Sequence, residues 1–164
     1  MDRQSERGDL DALDEFSAYP TARAFLASVR RAVGELEAVE RVLAGEIEPR
    51  HGGSVGGHSG VSNPTASAAI SEITARERAA ERRPELEDRI GAGLAAVYAV
   101  RRGLGDRYAD VLDRYYIDRA TWANVAEEMD VSRDTAQRTR DVACDWLDST
   151  ARAEMARLIE APAP

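Results

Sequence analysis

DRYADVLDRYYIDRATWANVAEEMDVSRDTAQRTRDVACDWLDS, residues 106–149, sets the architecture that the rest of the chain must serve. Tyr108, Val111, Leu112 and Tyr115 follow the i, i+3, i+4, i+7 spacing of one helical face, and Trp122, Val125, Ala126 and Met129 repeat it. Thr121 and Ser132 each precede a helical run with a hydroxyl placed to accept an orphan backbone N–H, so they predict two helix starts on either side of a tight turn. On the third helix Ala136, Thr139, Ala143, Trp146 and Leu147 share a face, which directs Arg133, Asp134, Gln137, Arg138 and Asp141 away from the core. Ala126 facing Ala136 would let the second and third helices cross closely. Three helices in so short a span predict a compact helix-turn-helix domain.

The segments before this unit predict two long helices. Pro20 marks a start, and Leu26, Val29, Val33, Leu36, Val39, Leu43 and Ile47 then recur at steps of three and four, one apolar stripe. HGGSVGGHSGVSN, residues 51–63, has five Gly and three Ser without apolar period and reads as a flexible connector. Asn63 before Pro64 signals a second start, since the Asn side chain can accept a backbone N–H and proline lacks the one it could not use. The apolar positions that follow are Ile70, Ile73, Ala80, Leu86, Ile90, Leu94, Val97 and Leu104, with Pro84 expected to kink or break the helix. Neither stripe can be buried alone, so the predicted fold is all-α: a long antiparallel, coiled-coil-like helical hairpin followed by the C-terminal three-helix helix-turn-helix domain. The boundaries read as a flexible acidic arm over 1–18, the hairpin over 19–104 with its Gly-rich linker at 49–63, the helix-turn-helix over 105–149 and a tail over 150–164. Pairing of the long helices within the chain or across a homo-oligomer both remain open at this point.

Residues 106–147 resemble region 4 of the primary bacterial sigma-factor family and, more closely, the small phage regulators of the RinA and ArpU type. In those families an "r-Y-r-x-V-L-x-x-x-Y-I" helix leads into "T-W-x-x-V-A-x-x-M-x-V-S-R-x-T", and nearly every such position between Tyr108 and Thr135 is present. VSNPTASAAI, residues 61–70, is similar to the "dPT" stretch before the long helix of those phage proteins. The resemblance covers about a quarter of the chain. It implies that the third helix enters the major groove with Arg133, Asp134, Gln137 and Arg138 on base- and phosphate-contacting positions, while Thr121, Ser132 and Thr135 hold the flanking backbone. The side-chain chemistry agrees, because Arg suits guanine, Gln adenine and Asp a cytosine amino group. The turn position commonly filled by Gly is Asp130, an acid less tolerant of a left-handed backbone.

Charge limits this reading. The chain carries a net −8, and residues 106–149 hold eleven acids against six arginines, whereas strong DNA binders show a basic stripe. Residues 132–140 hold three arginines and one acid, so DNA contact must come from that local patch, aided by a dimer or by polymerase. All 22 basic residues are Arg.

Other chemistry finds no support in the sequence. His51 and His58 sit in the Gly-rich stretch without the convergent ligands zinc needs, and that stretch lacks the Gly-Lys-Ser/Thr of a phosphate loop. No acid pairs with a His or Ser in a catalytic order, so no enzyme, cofactor or metal is expected. Cys144 is the lone cysteine, which excludes an internal disulfide and suits a reducing cytoplasm. No apolar run approaches the roughly 18 residues of a membrane span, so no membrane association is expected. The leading expectation is a cytoplasmic, sequence-specific double-stranded DNA-binding regulator of phage or prophage type, nucleoid-associated when bound and oligomeric through its long helices. A sigma-like module docked on RNA polymerase, a small terminase subunit and an adaptor without DNA contact are the alternatives.

Overall fold

The computed structural model describes residues 16–46 and 64–160, with the side chains of 64–68 and 151–160 left aside. The N-terminal part of the arm, Ile47, the Gly-rich connector with Asn63 and both histidines, and residues 161–164 lie outside the described residues. Among the described residues five α-helices follow one another: α1 (Ala22–Leu43), α2 (Pro64–Gly103), α3 (Asp106–Leu112), α4 (Trp122–Glu128) and α5 (Arg133–Glu160), with a π-helical turn, Asp113–Ile117, continuing α3. The all-helical expectation holds, and among the described residues no helix is long and apolar enough to cross a membrane.

α1 starts where Thr21, in extended conformation, accepts the Ala24 N–H at 3.1 Å, one residue after Pro20. It runs antiparallel to α2: Val29 faces Gly93, while Glu35 bonds Arg82 at 2.8 Å and Arg83 approaches Glu40. A β-carbon on Gly93 would sit 2.5 Å from a Val29 methyl, so glycine is what lets the two helices meet there. Gly103 plays the same part beneath the Trp146 indole of α5.

The expected stripe of α2 combined two faces. Leu86, Ile90, Val97 and Leu104 turn inward, but Ile70, Ile73, Ala80 and Leu94 are exposed. Pro84 does not break the helix, which runs through it, with buried Ala79 and Leu86 holding the chain on either side. Proline costs the turn one N–H bond, and the packed face compensates.

The hairpin and the C-terminal helices share one core. Phe25, Leu26 and Val29 of α1 join Val97 and Val100 of α2, Leu112 of α3, and Ala143, Cys144 and Leu147 of α5. Phe16 belongs to this core at 6% exposure, with its ring edge-on to Phe25 at 5.4 Å, and Tyr19 meets the same ring at 5.6 Å. The loosely attached arm expected over residues 1–18 is therefore docked at its end. The charge around Phe16 hid a single aromatic anchor, and burying one ring contributes about 2–3 kcal/mol.

Between α3 and α4 the π turn shifts the helical register. The Asp118 N–H reaches back five residues to the Asp113 carbonyl at 3.0 Å. Tyr116 is consequently buried at 2% where the spacing predicted Tyr115, which stays half-buried. α5 continues as one helix through Glu160, beyond the residue 149 at which the sequence reading placed its tail.

Candidate nucleic-acid interface

The local chemistry of residues 121–135 places α4 and α5. Thr121 opens α4 with its hydroxyl accepting the Asn124 N–H at 3.3 Å. Ser132 opens α5 by accepting the Thr135 N–H at 3.1 Å, and its hydroxyl lies 2.8 Å from that of Thr135. Both hydroxyls thus satisfy orphan donors of a helix start, as their positions predicted. Met129 to Val131 form the turn, and Asp130 holds φ +51, the left-handed backbone that glycine enters without strain. Val125, Ala126 and Ala136 are buried between the two helices.

The first turns of α5 display the predicted polar set. Arg133 and Asp134 are exposed, Gln137 is half-exposed, and Arg138 is 78% exposed. Arg138 bonds Asp134 at 2.7 Å, one turn earlier on the same face, so this exposed cation is partly neutralised by its neighbour. Arg133 makes no ion pair with another described residue. Val142, one turn beyond Arg138, continues the face as an exposed apolar side chain. Spacing alone did not single it out.

Two residues counted with this set have other work. Asp141 was expected to face outward, but it pairs with Arg23 of α1 at 2.5 Å and with Arg140 at 2.7 Å. Arg140, one of the three arginines of the local patch, is only 15% exposed, with its guanidinium 4.9 Å over the Trp122 ring. A spacing argument places both on the polar side of the helix. It cannot foresee that α1 begins against that side, where Asp148 accepts the Ala22 N–H at 2.8 Å. Among the described residues, the cations that stay exposed on this face are Arg133 and, beside its partner Asp134, Arg138.

A second group, illegible in the sequence, holds the face in place. Trp122 stacks on Tyr115 with ring centroids 3.9 Å apart and planes 19° from parallel. Arg30 of α1 closes the far side, 4.4 Å over the Tyr115 ring, as Arg140 closes the Trp122 side. The same Arg30 guanidinium donates to the carbonyls of Tyr115, Arg119 and Ala120, the segment that feeds α4. Arg119, itself at φ +57, reaches back to Glu37 at 2.6 Å. α1 therefore fixes the chain entering α4 and the middle of α5 at once. No residue spacing marks Arg30, because its acceptors lie 85 to 90 residues away.

Burial pushes the Cys144 thiol up to about 11, with nearby Arg140 opposing, so it is an inert apolar residue at neutral pH. No cluster of metal-ligating side chains occurs among the described residues. No protein family, curated protein or solved structure matches the chain.

Proposed function

We propose that the chain is a sequence-specific double-stranded DNA-binding regulator of phage or prophage type, in which α4, the Asp130 turn and α5 act as a helix-turn-helix. The observation that carries this reading is the start of α5. A capped helix end there carries two exposed guanidinium groups, Arg133 and Arg138, with Asp134 and Gln137 beside them, and no described part of α1 or α2 covers the two arginines. Such a surface suits the major groove, where Arg reads guanine and the helix end faces phosphate. The resemblance of residues 106–147 to sigma region 4 and to RinA- and ArpU-type regulators points the same way.

The test is selection of bound sequences from random duplexes at low salt, with the wild-type chain and with Arg133→Ala and Arg138→Ala. A defined motif that loses one position with each substitution supports the reading. Absence of any enrichment, even at low salt, rejects it.

Two observations favour a second reading, a sigma-like module that touches promoter DNA only on RNA polymerase. The Asp134–Arg138 pair and the net acidity of residues 106–149 weaken the attraction to free duplex. Co-sedimentation with polymerase, together with promoter-restricted crosslinking of Arg133, would distinguish it.

A further inference from the structure

The outward faces of the two long helices differ in kind. Every exposed position of α1 is charged: Arg23, Arg31, Glu35, Glu37, Glu40 and Arg41. On α2, by contrast, Ile70 is 65% exposed, Ile73 58%, Leu94 46% and Tyr98 58%, four of the five large apolar side chains displayed among the described residues. These four lie on one line. Alternating steps of three and four from Ile70 lead through Ile73, exposed Pro84 and exposed Gly91 to Leu94 and Tyr98, turned away from the side that packs on α1. Glu77 and Glu87 interrupt the middle, so the apolar surface is gathered in two patches about 36 Å apart at 1.5 Å per residue.

We infer that this stripe is the interface with a second copy of the chain, in which two α2 helices pack antiparallel about a two-fold axis near Pro84. That order sets Ile73 of one copy on Tyr98 of the other, with Ile70 and Leu94 flanking the contact, and symmetry makes the contact twice. Charge selects the antiparallel sense. A parallel pair would set Glu77 on Glu77 and bring Arg102 level with Arg102, each a repulsion, while Glu87 lies within a turn of its own copy in either sense. The antiparallel pair instead sets Glu77 opposite Leu94 and Glu87 opposite Pro84. It also carries Arg102 to within a turn of the partner's Glu72. That guanidinium rests over its own Tyr98 ring at 4.9 Å and makes no ion pair with another described residue. The two α3–α5 bodies then lie at opposite ends of the dimer, clear of one another.

The test uses the full chain and no DNA. Sedimentation equilibrium at tens of micromolar should give twice the chain mass. Leu94→Glu with Tyr98→Glu should weaken association at least tenfold while helical circular dichroism is unchanged. A monomer at those concentrations, or a dimer indifferent to the double substitution, overturns the inference. Cysteine crosslinking reads the direction, with buried Cys144 as an internal control. Pro84→Cys should crosslink to itself, and Ile73→Cys should crosslink to Tyr98→Cys in a mixture but not to itself. Self-crosslinking of Ile73→Cys would mean a parallel pair and would also overturn the inference.

Discussion

The start of α5 and the place where α1 meets the rest of the molecule are built from the same residue types and do opposite things. At the start of α5, Arg133 and Arg138 stand exposed, and only Asp134 engages one of them. At the α1 junction, Arg30 spends its guanidinium on three backbone carbonyls and a tyrosine ring, and Arg140 spends its own on Trp122 and Asp141. A displayed arginine is available for binding and contributes little to stability. A committed one does the reverse, because its removal leaves carbonyls and ring faces without their partner.

Substitutions can break this contrast, and Arg30→Ala should have the largest effect. Freeing the Tyr115, Arg119 and Ala120 carbonyls should cost about 2–3 kcal/mol by the usual worth of charged hydrogen bonds, read as a lower midpoint in urea. Arg30→Lys should recover less than half of the loss, because an ammonium cannot span three acceptors as a planar fork does. Full recovery by Lys would show that the charge alone matters.

On the proposed function, Arg133→Ala and Arg138→Ala should each cost about 1–3 kcal/mol of duplex affinity at one base position, with the urea midpoint unmoved. A shift in stability comparable to that of Arg30→Ala would erase the distinction between the two sites.

Asp130→Gly sharpens it, since this residue bears on both properties. Relief of the left-handed backbone should raise stability by about 0.5–1 kcal/mol, and, on the proposed function, loss of a carboxylate beside α5 should tighten duplex binding a few-fold, more at low salt. Thermal unfolding and salt-dependent titration measure the two separately.

The smallest expected effect lies at Asp113 in the π turn. Burial, with the neighbouring Asp118 carboxylate, raises its pKa above the ordinary carboxylate range. The folded state thus holds this proton more tightly than the unfolded chain. Its contribution to stability grows as pH falls through the folded pKa, and at neutral pH the ionised group is a cost. Asp113→Asn should therefore raise Tm slightly at pH 7, and the gain should vanish under acid conditions. A gain that persists there would assign the effect to packing.

The helices were legible because each is written locally. Thr121 and Ser132 mark starts through a hydroxyl and an N–H three residues away, and the polar set around Arg133 and Arg138 follows from a 3.6-residue period. Misreadings occurred where that period was not kept or where one residue acted alone. The π turn exchanged Tyr115 for Tyr116 in the core, and Phe16 anchored a segment whose charge concealed it. On α2 a single list of apolar residues ran together an inner face and an outer one, because periodicity tells which residues share a side and not which side another helix will cover.

Residue order alone established an all-helical chain, its helix starts, the Asp130 turn and a polar face led by two arginines. Long-range packing settled which polar residues remain available: Arg23 draws Asp141 toward α1, Trp122 covers Arg140, and Arg30 ties down the entry to α4 across more than eighty positions. Capping and periodicity act over a few residues and are therefore written in order along the chain. A guanidinium at the end of a long side chain selects its acceptors by position in space, and that position exists only once α1 lies against the other helices.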